Sequence, residues 1–525
     1  MIDEARANSQ AGAAARQFSP VWTERGWLWP ALLLWLGCSA AYFLTAPGRI
    51  DIIDGAIRFE VSQSLVDAGV PAVRDPSLPA VPGRDGYRYS WYQLGTSITA
   101  VPLLVLADQF ASGSREARQF AFSLTSVPFA GGVVALLFLI YGRLGRSRQR
   151  ALLWSLVVGF GTLLWPYAGS TFDATLQAFW LLIAVWSVVE ALAAKSPRWA
   201  IVSGLAFAML INIQETYVIL GAAVLGIAPL SLRALWVRLR SPVVYIVLAG
   251  VCVGFALVMA ANAWRYGHPL ETGRFVGGSV FGNPAVGLAG LFFSPAKSIF
   301  LYCPAYLLAL VGLRRLVKSD AGRFAPLVAC VAIHVLFISS LSLWAGEWAW
   351  GPRYLVASLP LVCIGLPFSH EPRRVIGVVC GLSIAIQVLA ISVDHQRWYF
   401  ERSLPPFFWY RQVTMYEDSP LLGRPGELLA VLTSGEHSKA RALVPGPRPQ
   451  SMTSSIFGPP NDELPNAPAW LREYAVFLLP RPWTLWGPQL PSDQRPGNVG
   501  VMTTSGVGVA ILSFSCLFIL VFRRR

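Results

Sequence analysis

The chain has 525 residues, of which 54% are hydrophobic and only 13% are charged, and its mean hydropathy is +0.52. Such a chain is too apolar for an ordinary soluble domain, in which about 25% of residues are charged. The formal net charge of +14 would suggest nucleic acid as the partner of a soluble protein. Here Lys and Arg concentrate in short loops beside apolar segments, so we expect an integral membrane protein and no nucleic-acid partner.

Apolar segments long enough to cross a hydrocarbon core of about 30 Å recur along the chain. We predict an all-α polytopic bundle of roughly 12 transmembrane helices. The predicted spans are residues 27–46, 118–140, 151–168, 172–194, 199–213, 217–232, 242–263, 298–313, 324–343, 354–368, 373–393 and 502–522.

The distribution of basic loops predicts the orientation of this bundle. With the N-terminus in the cytoplasm, alternate loops should be rich in Lys and Arg. They are, at residues 141–150, 195–198, 233–240, 314–318, 373–374 and 523–525. The complementary loops carry most of the acids, so we expect the chemistry on the extracytoplasmic face.

These spans divide the chain into four parts. We expect a cytoplasmic tail at 1–26, a transmembrane core at 27–393 with a first outer loop at 47–117, an extracytoplasmic loop-rich segment at 394–500, and a final helix with a basic cytoplasmic tail at 501–525. The seven Cys residues lie in or beside apolar segments without a CxxC spacing. We therefore interpret them as small buried hydrophobic side chains.

An amphipathic helix is predicted in the first outer loop, at the membrane interface. Its apolar residues recur at helical spacing from Ile53 to Ala68, and Gly69 and Pro71 are expected to end it. Asp54 stands at its start and Asp51 one turn earlier. An N-cap role would explain Asp54 alone, but not Asp51 as well.

A further acid, Asp173, stands where the predicted span 172–194 begins. A helix cap is an alternative for this residue too. Ionisable groups at the edge of a membrane are costly to desolvate, and they are candidates for function by default. We therefore treat Asp51, Asp54 and Asp173 as candidate catalytic acids.

Three other outer loops mix cations, acids and aromatic residues. Arg265, His268 and Glu271 lie in N-A-W-R-Y-G-H-P-L-E-T-G-R (262–274), Lys297 lies in L-F-F-S-P-A-K-S-I-F-L-Y-C-P (291–304), and Glu347 and Arg353 lie in W-A-G-E-W-A-W-G-P-R-Y-L (344–355). Such cations can bind a phosphate. The alternative is anchoring at the headgroup region, where Trp, Tyr, Lys and Arg collect.

Other site chemistries have no signature in the chain. HExxH, P-loop and GxSxG motifs are absent from the sequence, which argues against zincins, P-loop ATPases and serine hydrolases. His334 is isolated in a predicted span, where we expect a packed or hydrogen-bonded core residue. Gly131 and Gly132 are expected to allow close helix packing.

In order and predicted membrane side, these motifs resemble multi-spanning glycosyltransferases of the GT-C fold. The similarity is greatest to bacterial relatives of protein mannosyltransferases and lipid A aminoarabinose transferases, glycosyltransferase families 39 and 83. It is carried by I-I-D-G with the helix that follows, by Y-R-Y-S-W-Y-Q-L-G-T-S-I-T-A-V-P (87–102), and by the three loops above. It covers most of residues 27–393.

The resemblance implies an enzyme of the bacterial inner membrane that uses a polyprenyl-phosphate sugar. The sugar would pass to a hydroxyl of a glycan, lipid or protein on the extracytoplasmic face. Asp54 would be the general base, with Asp51 and Asp173 as further acids or as ligands of a divalent cation. The implied phosphate-binding residues are Lys297, Arg353 and Arg265, and the expected acceptor or sugar contacts are Glu60, Tyr89, Tyr92, His268 and Glu347.

Two other classes of function remain open at this point. A transporter or lipid flippase would need ionisable groups deep within its spans, or broken helices in paired halves. A non-catalytic scaffold would use the acids as caps and the aromatic residues as anchors. Convergence of Asp54, Asp173, Lys297 and Arg353 around one site would favour the transferase.

Overall fold

The computed structural model describes residues 25–48, 50–111, 114–225, 236, 239–273, 280–346, 349–392, 419–434 and 499–522. Most of the predicted cytoplasmic tail, most of the loop-rich segment 394–500 and the final basic residues 523–525 lie outside this part of the chain. The described residues form an all-α polytopic membrane protein.

The α-helices, numbered in chain order, are α1 (Arg25–Thr45), α2 (Ile53–Ala68), α3 (Gly95–Ala111), α4 (Arg115–Ser123), α5 (Val127–Arg143), α6 (Arg148–Gly161), α7 (Leu164–Ala168), α8 (Ala174–Ala194), α9 (Pro197–Ile213), α10 (Pro242–Tyr266), α11 (Pro284–Phe293), α12 (Ile299–Tyr302), α13 (Ala305–Ser319), α14 (Ala321–Ser339), α15 (Leu359–Cys363), α16 (Arg373–Ser392), α17 (Pro420–Ser434) and α18 (Val499–Phe522). Short 3₁₀ helices cover Glu215–Leu225, Arg353–Val356 and Leu366–Phe368. Strands β1 (Val81–Pro82) and β2 (Arg88–Tyr89) pair antiparallel in the first loop.

In the described residues, 7 helices are long and apolar enough to cross a membrane. They correspond to the predicted spans that begin at residues 27, 118, 172, 242, 324, 373 and 502. The apolar stretches are Arg25–Thr45, Ala117–Arg143, Ala174–Ala194, Pro242–Tyr266, Ala321–Ser339, Arg373–Ser392 and Ser505–Phe522. The second of them joins most of α4 to α5, and the last lies within α18.

Of the remaining five predicted spans, 199–213 forms a shorter helix, 151–168, 298–313 and 354–368 are interrupted, and 217–232 lies partly outside the described residues. Residues 151–168 divide into α6 and α7, because Thr162 turns its hydroxyl back to the carbonyl of Val158 and leaves the helix. Residues 354–368 divide into 3₁₀ turns and the five-residue α15. Hydropathy reports composition and not backbone continuity, so it does not detect these breaks.

The bundle packs around α5 and α8, whose side chains are mostly buried. Helix α1 lies against α5 and α18, while α9 packs between α8 and α10. A Cβ on Gly131 would lie 2.8 Å from the carbonyl oxygen of Trp35, so glycine permits the close contact of α1 with α5. This agrees with the packing role expected for Gly131 and Gly132.

Helix α2 is buried on more faces than its single apolar stripe predicts. It ends before Gly69, which has φ of +68° and caps the helix, as expected. Its apolar residues pack with Phe122 and the first loop. Arg58, Glu60, Ser62 and Ser64 are also buried, because the loop residues that follow α2, together with α3 and α4, cover its polar faces.

Candidate active site

The tetrapeptide Ser170–Asp173 connects α7 to α8 and organises the candidate site. Its four residues contact three different members of the charged cluster. Ser170 and Thr171 bind Asp51, Phe172 lies under Arg353, and Asp173 binds Arg58. We call Asp51, Asp54, Arg58, Asp173 and Arg353 the α2 cluster.

Asp51 is held tightly by this connection. Its carboxylate accepts hydrogen bonds from the Ser170 hydroxyl at 2.5 Å, the Thr171 amide at 2.8 Å and the Thr171 hydroxyl. Burial raises the pKa of Asp51 above its ordinary value, although these hydrogen bonds act in the opposite direction. Asp51 therefore fastens the start of α2 to the start of α8.

Asp54 occupies the first turn of α2 and is held far more loosely. Ile52 takes the N-cap position, and no side-chain cap bond is formed, so the cap alternative does not describe Asp54. Its nearest charged partner is Arg353, at 3.9 Å from Nη1 to Oδ2. Glycine at position 55 lets this turn approach the connection, since a Cβ there would overlap the Thr171 side chain.

Arg353 is fixed by aromatic neighbours on two sides. Its guanidinium carbon lies 4.2 Å from the ring centre of Phe172 and 4.7 Å from that of Tyr354, and Nη2 donates to the Tyr354 hydroxyl at 3.0 Å. Stacking orients a planar guanidinium without consuming its donors. The side chain can therefore present its charge toward Asp54.

Arg58 is a member of this cluster that the sequence analysis did not select. It lies one helical turn after Asp54 and donates to Asp173 at 2.8 Å, with its guanidinium 4.2 Å above the ring of Tyr92. Its Nη1 is buried and has no partner among the described residues. The i,i+4 spacing from Asp54 was the available signal.

Asp173 occupies the N-cap position of α8, but its carboxylate makes no side-chain cap bond. It instead forms the ion pair with Arg58. Deeper in the bundle, the Tyr217 hydroxyl donates to Gln177 at 2.9 Å and its ring stacks on His334. His334 also contacts the Ser358 hydroxyl at 2.9 Å, which agrees with a hydrogen-bonded core residue.

Lys297 is buried, and it is connected to the α2 cluster only indirectly, through a backbone carbonyl. Its Nζ lies 2.6 Å from the carbonyl oxygen of Ala349. The next residue, Trp350, is also buried and accepts a hydrogen bond from Tyr167 through its carbonyl. The structure thus pairs Asp54 directly with Arg353, whereas Asp173 pairs with Arg58. Lys297 supports the segment that leads to Arg353.

Arg265 has a different set of contacts. Its guanidinium donates to the carbonyls of Ser90 and Tyr92 at 2.8 and 3.0 Å, and to the side chains of Gln93 and Asn262. It therefore holds the first-loop stretch that places the Tyr92 ring under Arg58.

The other expected acceptor contacts are dispersed. The Tyr89 hydroxyl donates to Asp85 at 2.5 Å, and burial raises the pKa of Tyr89. His268 is exposed, and Glu60 lies in the middle of α2, bound to Arg115. Glu347 lies outside the described residues.

The expected divalent cation has no ready ligand set in the described part of the chain. No group of three or more His, Cys, Asp or Glu side chains converges there. Asp51 is occupied by hydroxyl and amide donors, and Asp173 by Arg58.

No family model matches the chain, and no curated protein matches it in sequence. Among solved structures, the chain is similar to the crystal structure of ArnT from Cupriavidus metallidurans in the apo state. The match covers 95% of this chain and 77% of that chain, with 12% sequence identity and a TM-score of 0.44. A similarity of this degree does not determine an activity.

Proposed function

We propose that this protein is a membrane glycosyltransferase that moves a sugar from a polyprenyl-phosphate donor to an acceptor hydroxyl. The observation that carries the proposal is the pairing of a loosely held carboxylate with a fixed guanidinium. Asp54 and Arg353 lie 3.9 Å apart, and the described residues give Asp54 no hydrogen bond. A base and an anion-binding group thus stand side by side at the start of α2.

Asp54 is the general base in this proposal. Its carboxylate accepts the proton of the acceptor hydroxyl as the hydroxyl oxygen forms a bond to the anomeric carbon of the sugar. The bond from that carbon to the phosphate oxygen breaks, and the polyprenyl phosphate leaves as an anion. Positioned acid–base assistance of this kind typically contributes about 10²–10⁴-fold to a rate.

Arg353 and Arg58 stabilise the leaving phosphate. A phosphate needs fixed positive donors more than it needs a proton, and guanidinium groups bind it with two parallel hydrogen bonds. Arg353 is oriented by Phe172 and Tyr354, and Arg58 offers its buried Nη1. Lys297 acts as a positioning residue, because its ammonium holds the carbonyl of Ala349.

The pattern of basic loops supports an extracytoplasmic site in the bacterial inner membrane, with both termini in the cytoplasm. Asp51, Asp54 and Arg58 follow α1, and Asp173 precedes α8. In this topology these helix ends are opposite to the basic loops 141–150 and 195–198. A lipid-linked donor would reach this level from the outer leaflet.

The experiment is transfer of radiolabelled sugar from a panel of polyprenyl-phosphate donors in membranes that contain equal amounts of wild type or Asp54→Asn. We expect the variant to lose transfer by about 10²–10⁴-fold. Asp108→Asn is the matched control, since Asp108 pairs with Arg118 away from the α2 cluster.

Equal transfer by wild type and Asp54→Asn would remove Asp54 from the chemistry. Failure of wild type to consume any donor, together with movement of the labelled lipid between leaflets, would favour the flippase alternative.

A further inference from the structure

A second polar cavity opens along the far half of α2, separate from the α2 cluster. Its volume is about 320 Å³, at the lower end of the roughly 300–1,000 Å³ range of small-molecule sites. It is lined by Glu60, Gln63, Ser64 and Asp67 of α2, by Arg74 and Asp75 of the following loop, and by Arg115 of α4.

Part of this lining is already bonded and gives the cavity a fixed shape. Arg115 donates to Glu60 at 2.6 Å and to Gln63 at 3.2 Å. The second Glu60 oxygen accepts from the amide of Asp75 at 3.2 Å. Glu60 therefore acts as the support that ties the loop and α4 to α2.

Of the remaining lining groups, Asp67 accepts from Arg118 and Asp75 accepts from Ser77, while Ser64 and Arg74 keep unused hydrogen-bonding capacity. The Ser64 hydroxyl is buried and has no partner among the described residues, whereas the neighbouring Ser62 hydroxyl bonds to the Arg58 carbonyl at 2.9 Å. Arg74 is exposed, and its guanidinium has no ion-pair or hydrogen-bond partner in the described part of the chain. A buried hydroxyl without a partner indicates a missing ligand or water.

The charges of the lining select among ligand classes. Carboxylates of Glu60, Asp67 and Asp75 would repel a phosphate, and guanidiniums of Arg74 and Arg115 would repel an ammonium group. Hydroxyl groups both donate and accept, so several of them together satisfy carboxylate, guanidinium, amide and hydroxyl partners at once. A neutral, polyhydroxylated molecule is the ligand that fits all of these groups.

We infer that this cavity binds a neutral carbohydrate, and that it holds the part of an acceptor glycan beyond the reacting hydroxyl. Only the second clause rests on the proposed function. Ten residues of α2 separate Asp54 from Ser64, which places the cavity about 15 Å from the catalytic carboxylate along the helix axis. An acceptor glycan lying along α2 would reach both places.

The test uses the full chain in lipid nanodiscs on a printed array of neutral hexose oligosaccharides and their phosphorylated analogues. We expect neutral oligosaccharides to be retained by wild type. Arg74→Ala and Ser64→Leu should weaken retention about tenfold, as loss of a hydrogen bond to a charged group or steric filling does. Arg74→Ala removes an exposed side chain without a partner, so it should fold even if Ser64→Leu does not.

Arg84→Ala is the matched control, because it removes the same charge from an exposed site on the same loop outside the cavity. Absence of neutral glycan binding, equal binding by wild type and Arg74→Ala, or preference for the phosphorylated analogues would each overturn the inference. Asp54→Asn should bind the array normally. If wild type binds neutral glycans but transfers no sugar, only the proposed function is rejected. If wild type transfers sugar but binds no neutral glycan, only the inference about the cavity is rejected.

Discussion

Helix α8 carries a buried ion cluster at each end, and the two clusters are built differently. At its start, Asp173 pairs with Arg58 beside Asp54 and Arg353. Near its end, Glu190 is fully buried, and we call Glu190 with Arg143 and Arg323 the Glu190 cluster. Asp173 and Glu190 are 17 positions apart in the chain, which separates the two clusters by about 25 Å along α8.

The Glu190 cluster is closed. Arg143 donates to both carboxylate oxygens at 3.1 Å, from Nε and Nη2, and the Arg323 guanidinium approaches one of them at 3.7 Å. The α2 cluster is open by contrast, since Asp54 lies 3.9 Å from its cation Arg353 and accepts no hydrogen bond from the described residues. A carboxylate that is bonded at both oxygens specifies packing, whereas one without a hydrogen bond keeps its accepting capacity for a ligand.

The largest stability effect is expected in the closed cluster. Glu190→Gln should lower the free energy of unfolding by about 3–5 kcal/mol, because the largely buried guanidiniums of Arg143 and Arg323 lose their buried counter-charge. Transfer per folded molecule should stay unchanged. Unfolding in mixed detergent–SDS micelles measures the first quantity and the radiolabel assay the second.

Glu371→Gln is the matched control for this change, since the Arg315–Glu371 pair is 41% and 32% exposed and should contribute only about 0–1 kcal/mol. A Glu190→Gln protein that is stable but has lost transfer would contradict the assignment of stability to the Glu190 cluster and of activity to the α2 cluster.

A smaller effect, on activity and not on stability, is expected at Arg353. Arg353→Gln should reduce transfer by about 10²–10³-fold, as removal of one oxyanion donor does. Arg353→Lys should recover part of that loss, because it keeps the charge but loses the stacking on Phe172 and Tyr354. Steady-state transfer rates at equal protein abundance check this order, with Arg84→Gln as control.

The Arg58–Asp173 pair should show a weaker and coupled effect. Each of Arg58→Lys and Asp173→Asn is expected to slow transfer about tenfold, because either change releases the 2.8 Å contact that orients the other side chain. The double variant should be no slower than the slower single variant, since the two residues act as a unit. Multiplicative losses in the double-mutant cycle would show that they act independently.

The smallest expected effect is a pH dependence of stability from Asp51. Burial holds its pKa in the folded protein above the ordinary 3.8, so the native state binds more protons than the unfolded state in the window above that value. Stability contributed by Asp51 is then lost as pH rises through this window. Asp51→Asn should lack this decline. The contribution of Asp51 is measured by comparing the free energy of unfolding of wild type and Asp51→Asn as a function of pH.

Much of the fold follows from the sequence alone. Long apolar segments form the seven helices of the described residues that are long and apolar enough to cross a membrane. Gly69 ends α2 where glycine at a C-terminus is expected. Asp54 and Asp173 were also identifiable as acids at helix starts, because local patterns report position along a helix. These properties depend on neighbours in the chain, which a sequence contains explicitly.

The partners of those acids were decided only by the tertiary structure. Arg58 and Asp173 lie 115 residues apart in the chain, and nothing local to either residue specifies the other. Arg265 has a suitable side chain for phosphate, yet its donors hold the first-loop backbone. Hydropathy and spacing determine which segments enter the membrane. Desolvation then favours the pairing of buried charges, and the packing of helices that are distant in the chain determines which charges meet.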